Sequence, residues 1–163
     1  MNDRRARILV AGVGNLFLGD DGFGPEVARR LLAATSRPDV RVVDVGIRGL
    51  HLAYELLDGY DLLVLVDTAR RGEEPGTITV MEVDPASPGQ AVPDAHDMDP
   101  AHMLAVLADM GGSVGRMLVV GCEPADVGEG IGLSPPVAGA VEAAVAVVQE
   151  LVEQELAFVG KGS

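Results

Sequence analysis

The sequence predicts a layered α/β domain built on a largely parallel sheet. Short apolar runs alternate along the chain with longer segments of helical periodicity, which is typical of strands connected through helices. The 163 residues suit one compact domain with its own core. Because no repeat, low-complexity tract or linker interrupts the pattern, residues 1–163 are predicted to form a single domain with a core at about residues 7–153 and short flexible termini.

The first half of the chain contains three predicted strands and two predicted helices. Residues 7–11 are continuously apolar after Arg7, which indicates a strand buried on both faces. Residues 25–34 follow with apolar positions at helical spacing and a proline in the first turn. Residues 40–45 are rich in valine and predict a strand, and residues 50–57 predict a short helix. Residues 61–66, which are continuously apolar after Asp61, predict a second buried strand.

The second half continues the alternation of strands and helices. Residues 76–83 alternate apolar and polar side chains, which indicates a half-exposed edge strand. Residues 84–97 are rich in Pro, Gly, Ala and Asp and predict a loop, after which Asp99 and Pro100 are expected to open a helix that runs to Met110. Residues 117–120 predict another buried strand, and residues 135–158 a long terminal helix.

Composition excludes several classes of partner. The 25 acidic side chains outnumber the 12 basic ones, for a net charge of −13, which would repel nucleic acid and anionic membranes. One cysteine cannot build a disulfide framework, so we expect a cytoplasmic protein. We expect no targeting segment and no membrane helix, since Glu142 interrupts the longest apolar candidate. The size and high charge favour a monomer.

The turn after the first strand, residues 12–25, is the first candidate for chemistry. A dinucleotide-binding fingerprint would need a third glycine where Phe17 stands, and the pair Asp20 and Asp21 would repel a pyrophosphate. One interpretation is that either aspartate caps the helix that Pro25 opens. The other is that one of them faces a ligand-binding crevice, and both interpretations can hold together.

Asp67, which directly follows the apolar run 62–66, is the second candidate. Ligands of parallel α/β sheets bind at the carboxyl ends of strands, near the point where strand order reverses. The first and third strands commonly flank that point, so Asp21 and Asp67 can face one crevice. The alternative is an ordinary aspartate at a strand end that bonds a loop.

His96, in the loop before the third helix, is the third candidate. Two carboxylates and one imidazole make a three-ligand site with open positions, which suits zinc, nickel or a similar divalent ion. The alternative is a solvent-facing loop histidine. His51 and His102 fall within helical patterns and are predicted to be structural or surface residues.

Cysteine and serine chemistry has little support in the sequence. Cys122 follows a buried strand and is predicted to be a small apolar filler. A Cys–His pair with His96 lacks a local signature, and neither a Ser-His-Asp set nor a His-Glu-x-x-His helix is evident.

Taken together, these residues resemble the family of NiFe-hydrogenase maturation endopeptidases over about residues 8–148. The most specific part is the first turn, and the later segments keep the family's order and spacing. The matching segments are Gly12-Val13-Gly14-Asn15, Gly19-Asp20-Asp21-Gly22-Phe23-Gly24-Pro25, Asp44-Val45-Gly46 with Gly49, Val66-Asp67-Thr68 with Pro75-Gly76, His96, Gly121 with Glu123-Pro124, and Gly132-Leu133-Ser134-Pro135.

The resemblance implies both a site and a fold. Carried over by position, the catalytic and metal-binding residues are Asp21, Asp67 and His96, with Asp21 standing where some members carry Glu. Val45 departs from the family's Asp-Gly-Gly pattern, so that Asp44 is expected only to shape a turn. The implied fold is a three-layer sandwich, with a twisted, mostly parallel five-stranded sheet and helices on both faces.

The resemblance also implies the reaction. It is a single endoproteolytic cut that removes a C-terminal extension from the NiFe-hydrogenase large-subunit precursor, with nickel already held by that precursor as the recognition element. Two alternatives stand beside it. One is a non-catalytic nickel-binding or chaperone-like module that inspects the precursor, and the other is a nucleotide-binding protein that uses the first glycine-rich turn.

Overall fold

Five strands form one sheet in the computed structural model, which describes residues 7–34, 37–46, 49–86 and 100–161. In chain order they are β1 (Ile8–Val13), β2 (Val40–Gly46), β3 (Tyr60–Thr68), β4 (Ile78–Val83) and β5 (Val114–Cys122). Across the sheet they lie in the order β2, β1, β3, β5, β4. Strands β2, β1, β3 and β5 are parallel, whereas β4 runs antiparallel to β5. The predicted mostly parallel five-stranded sheet is confirmed.

Helices cover both faces of the sheet, as the resemblance implied. Within the described residues the α-helices are α1 (Phe23–Ala34), α2 (Gly49–Leu56), α3 (Pro100–Asp109) and α4 (Pro135–Lys161), and a short 3₁₀ helix spans Gly19–Gly22. Helices α1 and α4 pack together on one face, and α2 and α3 pack together on the other. The arrangement is a three-layer α/β sandwich.

The side chains of β3 explain why its residues 62–66 are continuously apolar. Successive residues of a strand point to opposite faces, so Val64 and Val66 face α1 and α4 while Leu63 and Leu65 face α2 and α3. All four are at most 2% exposed. A strand covered on both sides has no polar face, which is why alternation is absent from residues 61–66.

Strand β4 is an edge strand, as predicted from its alternating pattern. Among the described strands only β5 borders it, and Val80 remains 43% exposed whereas Val83 is buried. An edge strand that runs antiparallel to its neighbour can expose one face, so alternation survives here and disappears in β3.

Two boundaries differ from the prediction near the first turn and the third strand. Helix α1 begins at Phe23 rather than at Pro25, because the 3₁₀ helix runs directly into it and Pro25 still lies in the first turn, where its missing amide proton costs nothing. Strand β3 continues to Thr68, so Asp67 belongs to the strand instead of following it. Of the predicted loop 84–97, residues 84–86 are described; His96 and the predicted cap Asp99 lie outside the described residues.

Helix α4 is long and apolar enough to cross a membrane by length and composition alone, over Pro135–Phe158. This differs from our expectation that the chain has no such stretch. One face of the helix, however, belongs to the core beneath the sheet, through Val137, Val141, Ala144 and Val148. A core helix passes the same test, so the feature is weak evidence for a membrane span.

Strand order reverses between β1 and β3. From β1 the chain moves outward to β2 on one side, and from β3 it continues to β4 and β5 on the other. Gly12 pairs in register with Val66, so the turn after β1 and the end of β3 leave the sheet side by side. In parallel α/β sheets this switch point is where ligands bind.

Candidate functional site at the carboxyl ends of β1 and β3

Asp21 lies in the 3₁₀ helix that follows β1 and is almost fully buried, with 1% of its surface exposed. Its Oδ2 accepts a hydrogen bond of 2.9 Å from the backbone N–H of Asn15. Its Oδ1 accepts one of 3.4 Å from the hydroxyl of Thr68, at the end of β3. A buried carboxylate with a partner on each oxygen is held in one orientation, here toward the neighbouring strand.

Asp67 occupies the next-to-last position of β3, one residue before that hydroxyl. It is half-buried, and its Oδ1 accepts a hydrogen bond of 2.7 Å from the backbone N–H of Thr68. Thr68 therefore contacts both acids, Asp21 through its side chain and Asp67 through its backbone. The two aspartates come from chain positions 46 residues apart (67 − 21 = 46) and converge on one residue.

Asp20 has a different role from its neighbour. Its Oδ2 accepts hydrogen bonds from the backbone N–H groups of Ala125 (2.8 Å) and Asp126 (2.9 Å) and from the Ser134 hydroxyl (2.8 Å), and its Oδ1 accepts one from the Ser134 N–H (2.7 Å). Burial raises the pKa of Asp20, but the hydrogen bonds from Asp126, Ser134 and Ala125 together outweigh it, so that the pKa lies below the ordinary value. Asp20 thus fixes the segment between β5 and α4.

The helix-cap interpretation does not describe these hydrogen bonds. The carboxylate of Asp20 binds a segment more than 100 residues away, and that of Asp21 binds Asn15 and Thr68, rather than the first amides of α1. The 3₁₀ helix itself has no side-chain cap. One aspartate organises a distant loop and the other faces the end of β3, a division that spacing alone could not predict.

Three glycines allow the first turn to approach the sheet. A Cβ on Gly12 would lie 2.3 Å from the carbonyl oxygen of Gly24, and a Cβ on Gly24 would lie 2.4 Å from that of Val66. Gly14 has a φ of +145°, and a Cβ there would lie 1.9 Å from the carbonyl oxygen of Asp21. These glycines bring the start of α1 against the ends of β1 and β3. In a dinucleotide-binding turn, the space at this point would hold a phosphate.

Glu123 is a structural acid that the sequence analysis quoted within a motif but gave no role. It is 8% exposed, and its Oε1 accepts hydrogen bonds from the N–H groups of Arg71 (2.7 Å) and Glu73 (3.0 Å). Its own backbone bonds to Thr77 and Gly76. Glu123 therefore shapes the loop after β3. An acid directly after a buried strand is the signal that singled out Asp67, and it applies equally to Glu123.

The remaining candidates behave as predicted. Cys122 is fully buried, and burial first, with the negative charges of Asp20 and Glu123, raises the pKa of its thiol to about 12. His51 and His102 are exposed on α2 and α3. Asp44 accepts a hydrogen bond of 3.0 Å from the N–H of Gly46 and so shapes a turn.

Of the predicted set of Asp21, Asp67 and His96, the structure describes the two aspartates. The described ranges contain no group of three His, Cys, Asp or Glu side chains arranged to hold a metal ion, and His96 lies outside those ranges. The two carboxylates supply oxygen donors of the kind that divalent ions accept, and an imidazole would complete the donor set. The assignment of this set as catalytic and metal-binding stays a prediction.

Comparison with known proteins identifies one family. The profile of the hydrogenase maturation protease family matches residues 25–151. The matched range includes Asp67 and the position of His96, and it begins shortly after Asp21. The match covers most of the chain, including strands β2 to β5.

Individual relatives agree with the profile. The hydrogenase expression/formation protein HupD of Rhodobacter capsulatus is 34% identical over 150 residues, which cover 89% of this chain and 71% of that protein. A putative hydrogenase maturation protease of Methanocaldococcus jannaschii is also 34% identical, over 89% of this chain and 96% of its own. The solved structure of the hydrogenase maturating endopeptidase HybD from E. coli matches with a TM-score of 0.79 at 27% identity, covering 91% of this chain and 93% of that one.

Proposed function

This chain belongs to the hydrogenase maturation protease family, and on that premise we propose that it removes the C-terminal extension of the NiFe-hydrogenase large-subunit precursor after nickel insertion. The family is one of proteases, which are hydrolases that cut a peptide bond. The precursor as substrate, the timing of the cut and the part played by nickel belong to the proposal.

The hydrogen bond between Thr68 and Asp21 is the observation that carries the proposal. It joins the turn after β1 to the end of β3 at the switch point of the sheet, where Asp67 also lies. Two acids from distant segments are brought to the same residue, Thr68, in a protease fold. Two carboxylates held in this way can bind a divalent ion or hold a water molecule against a peptide bond.

In this proposal nickel arrives as part of the substrate. Asp21, Asp67 and His96 would contribute two carboxylates and one imidazole to an ion that the precursor already holds, which leaves further coordination positions for the precursor's own ligands. In the cut, water adds to the scissile carbonyl carbon, and the C–N bond breaks to give a carboxylate and an amine. Dependence on these contacts would limit the cut to nickel-loaded precursor.

The compartment and assembly state follow from the same proposal. The buried thiol of Cys122 suits a reducing cytoplasm, where hydrogenase precursors could be met before export or assembly. We propose that a monomer performs the reaction, since net charges of −13 oppose the approach of two copies.

The test is cleavage of purified, nickel-loaded precursor, followed by mass spectrometry of its C-terminus. The wild-type protein should shorten the precursor, and Asp67→Asn and His96→Ala should reduce the rate by at least about a hundredfold. Asp84→Asn is a matched control, because it makes the same chemical change at an exposed turn acid whose hydrogen bond from the N–H of Ala86 an asparagine can keep. Full-rate cleavage by both site variants would refute the assignment of the site.

The same experiment separates the alternative of a non-catalytic inspection module. Tight binding of the loaded precursor with an unchanged C-terminus would favour a nickel-binding or chaperone-like role. Equal cleavage of nickel-free and nickel-loaded precursor would instead leave the protease in place and remove nickel from the mechanism.

A further inference from the structure

An exposed apolar surface lies beside the candidate site and takes no part in the chemistry proposed above. It consists of Leu16, Phe17 and Ile131, whose side chains are 49%, 67% and 80% exposed, and it is called the apolar ridge below. Large apolar side chains that cluster in solvent mark interaction surfaces more often than isolated ones do. The three residues come from two loops that are far apart in sequence.

Backbone hydrogen bonds hold the two loops together. The N–H of Gly130 donates to the carbonyl oxygen of Phe17 (2.9 Å), and the N–H of Gly19 donates to that of Gly130 (2.8 Å). Leu18 and Gly130 form an isolated parallel bridge between these bonds. The apolar ridge is therefore a paired surface in which Phe17 and Ile131 flank one bridge.

Packing and hydrogen bonds within the protein also hold the ridge in place. The Leu16 side chain packs over the 3₁₀ helix, since a Cβ on Gly22 would lie 3.3 Å from Cδ2 of Leu16 and 3.8 Å from that of Leu133. Asp20 fixes both ends of the segment that carries Ile131, through its hydrogen bonds to Asp126 and Ser134. A surface that is already ordered loses little entropy when it binds, which favours binding of a partner.

The ridge adjoins the candidate site directly. Asn15, whose N–H binds the Asp21 carboxylate, immediately precedes Leu16. Shallow grooves border the ridge on both sides: Phe17 shares one with Asp44 and Gly46, and Ile131 shares the other with Leu16 and Glu26. A molecule seated on the ridge would thus lie next to the turn that holds the Asp21 carboxylate.

The rim of the ridge is mainly acidic, since Arg30, which lines the groove beside Ile131, is paired with Glu26. Asp44 is exposed beside Phe17, and Glu129 is exposed two residues before Ile131. A second copy of this chain would bring the same acids and another net charge of −13, so self-association through this face is electrostatically unfavourable. The chemistry fits a different protein surface, with an apolar centre and a basic rim.

We propose that the apolar ridge is the docking surface for the folded body of the protein substrate, next to the segment that is cut. This inference rests on the proposed function and adds a specificity-determining surface outside the acidic site. Exposed aromatic and aliphatic side chains at the centre of an interface commonly carry most of its binding energy. Phe17 and Ile131 are the two anchors, and Asp44 and Glu129 select the basic rim.

The test compares steady-state cleavage of nickel-loaded precursor by Phe17→Ser, Ile131→Ser and Phe158→Ser. Phe158 is a matched control: it is 72% exposed, but it lies on α4 and shares a groove with Arg116 near the amino end of β5. We expect KM to rise about tenfold for each ridge variant with kcat within about twofold of wild type. The Phe158 variant should match wild type in both.

The other outcomes distinguish a failure of the docking surface from a failure of the proposed function. An unchanged KM for both ridge variants with active wild type would overturn the docking surface and leave the protease intact. If wild type fails to cut the precursor, the proposed function fails, and affinity for immobilised precursor then tests the ridge alone: equal binding by wild type and Phe17→Ser overturns it. A dimer in sedimentation that Phe17→Ser dissolves and Phe158→Ser retains would assign the ridge to a second copy and also overturn the inference.

Discussion

The Thr68 hydroxyl donates a hydrogen bond to Oδ1 of Asp21 over 3.4 Å, between residues 47 positions apart in the chain. Thr68 is 3% exposed, and its backbone N–H also binds the side chain of Asp67. One residue at the end of β3 therefore sets the positions of two acids that arrive from different segments. Thr68 is a positioning residue in this arrangement, because the proposed chemistry belongs to the acids that it holds.

Replacing Thr68 by valine removes the hydroxyl and keeps the shape of the side chain. We expect kcat for precursor cleavage to fall about tenfold while KM changes little, because the orientation of Asp21 is loosened and the ridge is not. Unfolding in urea should show a loss of about 1 kcal/mol. Thr68→Ser, which restores the hydroxyl, should recover most of kcat, and failure of this rescue would remove the positioning role.

Replacing Asp20 by asparagine exchanges one carboxylate oxygen for an NH₂ group. Both oxygens accept hydrogen bonds from N–H or O–H groups, and an NH₂ group cannot accept them. We expect the free energy of unfolding to fall by about 2–4 kcal/mol, because Asp20 itself is fully buried and donors at Ala125, Asp126 and Ser134 lose an acceptor. Asp126→Asn, an exposed change in the same segment, serves as the control and should cost less than about 1 kcal/mol. Urea unfolding at pH 7 measures both, and equal losses would refute the special role of Asp20.

The pH dependence of the unfolding free energy should distinguish wild type from Asp20→Asn. The pKa of Asp20 is lowered in the folded state, so its contribution is fully present above the unfolded-state pKa of about 3.9 and is lost as the pH falls through the lower folded-state pKa. The difference in unfolding free energy between wild type and Asp20→Asn should therefore shrink below about pH 4. A constant difference between pH 7 and pH 2 would contradict this assignment of the shift.

Replacing Gly24 by alanine should disrupt the first turn. The new Cβ would meet the carbonyl oxygens of Val13 at 2.2 Å and Val66 at 2.4 Å, and backbone atoms cannot move aside as side chains do. We expect a loss of at least about 3 kcal/mol or insoluble protein. Gly139→Ala is the matched control, since nothing lies within 4 Å of its Cβ and it sits within α4, where alanine should stabilise by about 0.5–1 kcal/mol. Thermal unfolding compares them, and equal melting temperatures would contradict the close contact.

Cys122 should be inert in the folded protein. Its pKa of about 12 leaves almost no thiolate at pH 8, and the side chain is fully buried. We expect no reaction with a thiol reagent until urea unfolds the chain, and Cys122→Ala should retain kcat. Rapid labelling of the native protein, with loss of cleavage, would contradict this prediction and favour a catalytic role for the thiol.

The sheet could be predicted from sequence because burial on two faces has a direct signature. Residues 61–66 lack polar alternation since helices cover both sides of β3, and residues 76–83 alternate since β4 lies at an edge. The end of β3 was missed by two residues, because Asp67 and Thr68 are polar and the hydrophobic pattern stops before the backbone pairing does.

The site was less accessible to the same reasoning. Asp20 and Asp21 are neighbours of identical type, and only the distant partners Ser134 and Thr68 separate the buried organiser from the candidate ligand. No hydrophobic periodicity marks Glu123, because its side chain accepts hydrogen bonds from the backbone N–H groups of a loop. His96 and its part in the predicted set depend on residues outside the described ranges.

The hydrogen bonds of Asp20 also bear on when the protein becomes active during its synthesis. They connect the first turn to positions 105, 106 and 114 residues later. A growing chain that ends before residue 125 contains Asp21, Asp67 and His96, but it lacks the donors that fix the turn and the segment that carries Ile131 of the apolar ridge. Such long-range closure comes late in folding. We therefore expect proteolytic competence only after the segment up to Ser134 has been synthesised and has folded against the first turn.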